Sequence, residues 1–255
     1  IDIMYKYISL FDGHVIASYN LCLGLGLIFG FLYLDKQISK IGLNHKTEYN
    51  LYITLICSFF LGFIGADFFE CLYHNQPITI HYLLQGGITF DGGVLTAFII
   101  FSLIAYLFKL NILHSLNLTI PSLVVAHAFG RIGCFLGGCC FGCPTNSILG
   151  VTFPVDSLAS GKFGYGVSVH PTQLYESFFL FLLFFILIRY VNFNKRLPFY
   201  LISYGLFRFF IEYLRGDDRG VLFTSILSPS QIISLLFLLS GSILFVLNIR
   251  QHVLK

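Results

Sequence analysis

The chain has 255 residues, of which 56% are hydrophobic and only 11% charged, against about 25% charged in an ordinary soluble domain. Its net charge of +3 is spread along the sequence, so it offers no basic face of the kind nucleic acid demands, and no such partner is expected. The length suits one membrane domain, 1–255, and the sequence shows neither an internal repeat nor a low-complexity segment.

Apolar runs predict seven membrane-spanning helices, at 15–34, 51–73, 92–110, 117–137, 171–191, 198–214 and 230–249. Each is near the roughly 20 residues that a bilayer core requires, the sixth being the shortest. The fold class expected is therefore all-α, a polytopic bundle of about seven transmembrane helices. The chain opens on Ile1 rather than methionine, so its true start is expected to lie further upstream. In the first span, Gly24, Gly26 and Gly30 would permit close helix approach. Asp67 and Glu70 in the second form either a polar seam or a helix-end pair. Cys22, Cys57 and Cys71 read as small apolar packing residues.

Orientation follows the basic residues. With the N-terminus outside, the inner connections and tail hold Lys36, Lys40, Lys46, Lys109, Arg189, Lys195, Arg196, Arg250 and Lys255, while the outer ones hold Lys6, Lys162, Arg215 and Arg219. Nine against four favours N-terminus out and C-terminus in. The connection 138–170 is then a small outer head insertion, Gly-rich and able to hold short strands.

Asp91 lies just before the third span. On its own it reads as a helix N-cap. The fourth span ends in GRIGCFLGGCCFGC, residues 130–143. His127, Arg131 and Cys134 fall at helical spacing on one face, and an ionisable group within a span is by default functional. The fifth span opens with HPTQLYE, residues 170–176, where Pro171 suits a first helical turn and Gln173 and Glu176 share a face. The sixth repeats the polar stripe with Tyr204, Arg208, Glu212 and Arg215. An interior Arg208–Glu212 ion pair that only fixes packing is one reading. Two arginines at similar depth fit a phosphate headgroup better, because guanidinium is a fork of donors that keeps its charge.

Three motifs together resemble the bacterial prolipoprotein diacylglyceryl transferase family: Gly130-Arg131-Ile132-Gly133 with its Gly-rich tail, HPTQLYE at 170–176, and Tyr204-Gly205-Leu206-Phe207-Arg208 running to Glu212 and Arg215. Gly86-Gly87-Ile88-Thr89-Phe90-Asp91-Gly92-Gly93 is a weaker fourth match. The resemblance implies an inner-membrane enzyme that moves the diacylglyceryl group of phosphatidylglycerol to a lipobox cysteine thiol and releases glycerol 1-phosphate. It also implies a periplasmic head, lateral openings to lipid, and no metal or organic cofactor. By matching positions, Arg131 and Arg208 would hold the phosphate, and Tyr204 and Glu212 would orient Arg208. His170, Gln173, Tyr175 and Glu176 would shape the rim. The N-terminus would be periplasmic and the C-terminus cytoplasmic.

The chain departs from the family where it matters chemically. Asp91 stands where relatives carry a histidine that is a candidate thiol base, so the resemblance implies that its carboxylate serves as a base or as an electrostatic anchor. Cys134, Gly137 and Cys139 replace two asparagines and a glutamate after the Gly-Arg-x-Gly motif. Four clustered cysteines, Cys134, Cys139, Cys140 and Cys143, leave several readings: disulfides, buried free thiols, a catalytic or acceptor thiol, or a metal site. Adjacent Cys139 and Cys140 do not give the paired spacing usual for zinc, so no metal is expected. Other readings of the function are transfer of the same lipid group to a non-lipoprotein thiol or amine acceptor, and a membrane thiol-redox or metal-binding module on the same fold.

Overall fold

The computed structural model describes residues 6–9, 15–79, 89–222 and 226–253. The match to Gly86, Gly87 and Ile88 and the terminal Lys255 lie outside the described residues. Among those described, two short strands, β1 (Tyr7–Ser9) and β2 (Val15–Ala17), pair antiparallel with Ile8 opposite Ile16. They are followed by α1 (Ser18–Ile41), α2 (His45–Tyr73), α3 (Phe90–Leu107) and α4 (Ile112–Gly137). A small segment then holds β3 (Val151–Thr152), α5 (Leu158–Phe163) and β4 (Ser168–Val169), before α6 (Thr172–Arg189), α7 (Arg196–Ile211) and α8 (Pro229–Val253).

All seven predicted spans are helices, and the fold is all-α in its body. Six of them, all but α7, are long and apolar enough to cross a membrane. At 16 residues α7 rises only about 24 Å, and a 3-10 turn, Glu212–Leu214, extends it. Exposed side chains such as Phe60, Ile99, Phe178 and Leu239 cover the outer faces. So much exposed apolar surface suits acyl chains rather than water, and the protein is a multi-pass membrane protein.

Several boundaries shift from the predicted ones because caps, rather than hydropathy, end helices. The Asn44 side chain accepts from the Thr47 amide at 2.8 Å and starts α2 before the apolar run begins. Asn111 does the same for α4 through the His114 amide at 3.0 Å. Gly42 and Gly138, both left-handed, terminate α1 and α4. Pro171 sits at the cap position of α6, one residue before the first helical turn.

The helix α4 is the hub. It packs against α1 on one side and α6 on another and also touches α7, while α2 pairs with α3 and α7 with α8. Half of its most apolar stretch is buried, more than in the other five helices long and apolar enough to cross a membrane. Its crossing with α1 is close because Gly26 and Gly30 carry no side chain: an added Cβ would stand 2.8 Å from the Ala126 carbonyl oxygen and 2.9 Å from that of Ser122. Gly24, by contrast, faces open space and does not serve the crossing. Polar ties complete the frame, with Ser177 donating to the Ala128 carbonyl at 2.9 Å and the Leu197 amide to Asn117 Oδ1 at 2.8 Å.

The 138–170 segment carries the short strands expected of it. β3 pairs with β4 through Val151–Val169 and Thr152–Ser168, over a small core of Phe135, Phe141, Phe153, Ala159 and Val169. Three strands of backbone cross at Gly142: its amide donates to the His170 carbonyl at 2.9 Å, the Cys143 amide to Leu214, and the Gly216 amide to Phe141. A Cβ on Gly142 would lie 2.6 Å from His170. The crossing ties the head to the ends of both α6 and α7.

Candidate active site

Four helices bring their charged residues to the head end of the bundle: the start of α3 (Asp91), the end of α4 (His127 and Arg131), the start of α6 (Gln173 and Glu176) and the end of α7 (Tyr204 and Arg208). All of these side chains are buried. Charges so deeply placed are tolerated only when paired and hydrogen-bonded, and here they are.

One cluster centres on Arg131. Its Nε lies 3.0 Å from Glu176 Oε2 and 3.2 Å from His127 Nε2. Tyr204 donates to Glu176 Oε1 at 2.9 Å, and the ring of Phe90 stacks on His127 with 3.9 Å between centroids. With His127 Nε2 accepting from Arg131, the ring proton falls on Nδ1, a buried atom with no hydrogen-bond partner. The amide oxygen of Gln173 is likewise buried and unmatched, while its Nε2 donates to the Cys139 carbonyl at 2.6 Å. Polar atoms left open inside a dry core are where a ligand's own polar groups would be accommodated.

The second cluster centres on Arg208. Nη2 and Nε reach Asp91 at 3.2 and 3.4 Å, Nη1 stands 2.9 Å from Glu212, and Nη2 donates to Ser230 at 2.9 Å. Arg219 closes the far side, with Nε 3.0 Å from Glu212, Nη2 3.5 Å from Asp91 and 2.6 Å from the Ser230 hydroxyl. Ser230 itself donates to Asp91. Nearby, Arg215 makes a bidentate pair with Asp217 at 2.6 and 2.8 Å. Tyr204 and Arg208 lie one turn apart on α7, which sets the two clusters side by side.

Two sequence readings change here. Asp91 is not the N-cap of α3: Thr89 holds that position, without a side-chain capping bond, and Asp91 lies in the first turn. Its two oxygens are taken up by Arg208, Arg219 and Ser230, which is the electrostatic-anchor arrangement. Tyr204 was expected to orient Arg208 but instead bonds the carboxylate that holds Arg131, because its hydroxyl points across to α6 rather than along its own helix. Glu212 Oε2 stands 2.9 Å from Arg208 Nη1. Glu70, on α2, accepts from Thr89 and faces His74 at 3.3 Å, which makes it a helix-end contact near the start of α3.

All seven cysteines are free in this structure. Cys134, Cys139 and Cys140 converge, each half-buried, with their sulfurs within 4.8 Å of one another. Cys143 does not join them; its thiol donates to the Arg215 carbonyl at 3.0 Å. Hydrogen bonds from Cys134 and Cys139 hold the Cys140 thiol well below its ordinary value, helped by Arg215 and Arg131. At Cys139 the bond from Cys134 favours the thiolate, but the bond to Cys140, burial and the charge of Cys140 prevail, and the thiol is pushed up to about 12. Burial opposes the charge on Arg215, yet Cys140 and Asp217 outweigh it and shift the guanidinium above its usual range. His170 and Tyr175 sit at the head crossing, 3.3 Å from Nδ1 to the hydroxyl, rather than in the charged core.

Arg219 and Ser230 were not among the sequence candidates. The alternating charges of Arg215-Gly216-Asp217-Asp218-Arg219 right after a span were a usable signal for Arg219. Nothing in the sequence marks Ser230.

Fold and site together define a multi-pass membrane protein with a buried arginine–carboxylate core beside the small 138–170 segment. Residues 7–247 match the family model described as prolipoprotein diacylglyceryl transferase, and the chain belongs to that family. It is 35% identical over 244 residues to phosphatidylglycerol--prolipoprotein diacylglyceryl transferase 2 of Clostridium perfringens, covering 92% of each chain. The like-named Clostridium tetani protein is 35% identical over 252 residues, 94% of this chain and 95% of that one. A Rickettsia bellii relative is 32% identical over 248 residues, 91% and 90% of the two chains.

Proposed function

We propose that the protein transfers the diacylglyceryl group of phosphatidylglycerol to the cysteine thiol of a prolipoprotein. The observation that carries this reading is the pair of buried arginines, Arg131 and Arg208, held by separate carboxylates in one core at the head end of the bundle. The relatives named above carry that donor, acceptor and group in their names.

The chemistry asks for what the core supplies. The acceptor sulfur attacks the glyceryl carbon that bears the phosphate, a C–S bond forms, and the C–O bond breaks with its electron pair leaving on the phosphate. Preorganised guanidiniums in a dry site stabilise that growing charge without reorganising at the moment of reaction. Arg131 and Arg208 are the phosphate-binding residues in this reading. Glu176, Glu212 and Asp91 fix their forks, Tyr204 fixes Glu176, and Gln173 ties the thiol-bearing turn to α6. His170 and Tyr175 shape the rim, and Arg219 is a further positioning residue for Asp91.

The chain is one transmembrane domain with 138–170 as its periplasmic head, in the cytoplasmic membrane of a bacterium, N-terminus outside and C-terminus inside. The basic-residue asymmetry supports this, and so does the charged core at the head end, where an exported acceptor would arrive. The test is mass spectrometry of lipoproteins from cells with and without the gene. Loss of the diacylglyceryl adduct from lipobox cysteines is expected, and its persistence in the absence of every related transferase overturns the proposal.

A further inference from the structure

The four guanidiniums of the charged core each face a carboxylate. A fifth buried arginine, at the other end of the bundle, has none. Arg196 opens α7 and stands about 18 Å from Arg208 along that helix, at the helical rise of about 1.5 Å per residue. It is only 8% exposed, and its Nε and Nη1 are buried without a hydrogen-bond partner. Among the described residues no aspartate or glutamate comes within ion-pair distance of it. A guanidinium keeps its charge when buried, and a buried charge with unmet donors is expensive unless something pairs with it. The stem does not carry those two nitrogens out to water, as a snorkelling arginine would.

Three elements fix where the guanidinium lies. The Arg196 amide donates to the Phe193 carbonyl, closing the 3-10 turn Phe193–Lys195 ahead of α7, and the next amide is tied to Asn117 of α4. The guanidinium lies over the Phe193 ring, 5.4 Å from its centroid, and that ring leans on His114 at 4.8 Å. On α1 the guanidinium donates to the Tyr33 hydroxyl, and the Tyr33 ring is set edge-on against Phe184 of α6 at 5.3 Å. Leu32 and Phe185, the chain neighbours of those two rings, are exposed apolar side chains, so acyl chains flank the place where Tyr33 meets Arg196. Lys36, Lys40, Lys46, Lys109 and Arg189 stand exposed around the same end. The carboxylates there are already engaged, Asp35 by the Tyr52 hydroxyl at 3.2 Å and Glu48 by His45 at 4.0 Å.

We infer that Arg196 and Tyr33 bind the phosphate of an anionic glycerophospholipid in the leaflet opposite the charged core, at a second phosphate site that takes no part in transfer. The guanidinium fork matches two phosphate oxygens, and the hydroxyl supplies a further donor. Exposed basic residues around the site hold anionic heads near it, as basic pockets between membrane helices do. The bound lipid ties α1 to the start of α7 and supplies the charge that Arg196 lacks. A free phosphate ion would meet the same donors; the flanking apolar side chains favour the lipid.

The test uses the full chain, delipidated in a neutral detergent, with phosphatidic acid as the probe and phosphatidylcholine and inorganic phosphate as controls. Native mass spectrometry should show the wild type retaining one more phosphatidic acid than Arg196→Met. Thermal unfolding should show phosphatidic acid raising the wild-type midpoint by about 5–11 °C at about a hundredfold excess over its dissociation constant. Without lipid the methionine variant should unfold at or above the wild-type midpoint, because it removes an unpaired buried charge; with lipid the order should reverse. Tyr33→Phe keeps the guanidinium and should lower the affinity about fivefold. Arg208→Ala, in the charged core, should still retain the extra lipid. Its loss there would return that lipid to the charged core and overturn the second site. A methionine variant less stable than wild type by the same margin with and without lipid would make Arg196 a packing residue and overturn the inference, and so would unchanged lipid retention in either the Arg196 or the Tyr33 variant. Equal protection by inorganic phosphate would overturn the lipid as occupant, and equal protection by phosphatidylcholine would overturn the requirement for an anionic head.

Discussion

Asp91→Asn separates an electrostatic anchor from a helix cap. In the wild-type core four guanidiniums (Arg131, Arg208, Arg215, Arg219) face four carboxylates (Asp91, Glu176, Glu212, Asp217). Asparagine removes one negative charge from a position where Arg208 stands at 3.2 Å and Arg219 at 3.5 Å. Taking one partner from a buried pair costs about 3–5 kcal/mol. Glu212 still pairs with both arginines, so the lower end, about 3 kcal/mol, applies. At about 2–4 °C per kcal/mol for a chain of this size, the unfolding midpoint in detergent should fall by roughly 6–12 °C. Phosphatidylglycerol-dependent transfer should fall with it, because Arg208 loses the partner that fixes its fork, and Asp91→Glu should retain more of both. A capping role forecasts the opposite, since asparagine caps about as well as aspartate. An unchanged midpoint and full transfer in Asp91→Asn would refute the anchor.

Other substitutions probe the rest of the core. Arg131→Ala and Arg208→Ala should each lower kcat/KM by about 100-fold or more, and lysine at either position should restore part of it because it lacks the planar fork; steady-state kinetics on correctly inserted protein decides. Tyr204→Phe removes the hydroxyl bond to Glu176 and should cost about 1.5–3 kcal/mol of stability by thermal or denaturant unfolding. A smaller effect would mean that Glu176 is held by Arg131 and His127 alone. For topology, a cysteine at Ile148, which is fully exposed on the head, should react with an impermeant maleimide in intact cells, and one at Lys46 only after permeabilisation. The reverse pattern would invert the proposed orientation.

Hydropathy alone shows the seven helices because a bilayer demands long apolar runs. It does not show where they begin, since Asn44 and Asn111 cap helices with residues that hydropathy scores as loop. The β1–β2 pair escapes notice because the residues leading into α1 look like part of its apolar run. Arg131, Glu176, Arg208 and Glu212 are legible from helical spacing together with the cost of burying charge. Their pairing is not: Tyr204 to Glu176 and Asp91 to Arg208 join helices far apart in sequence, and spacing reports only on one helix at a time. The cysteine trio is hidden for a different reason. Spacing along the chain does not reveal the convergence, because it is the left-handed residue at Cys140 that turns the chain and brings both sulfurs back to Cys134.

Transfer measured in a defined membrane tests the central claim most directly. The purified chain, placed in nanodiscs containing phosphatidylglycerol and given a lipobox peptide, should yield a peptide heavier by one diacylglyceryl group on its cysteine, with one glycerol phosphate released per adduct. The yield should collapse in Arg131→Ala and Arg208→Ala. An unmodified peptide, under conditions where the Clostridium perfringens relative modifies it fully, would contradict the account.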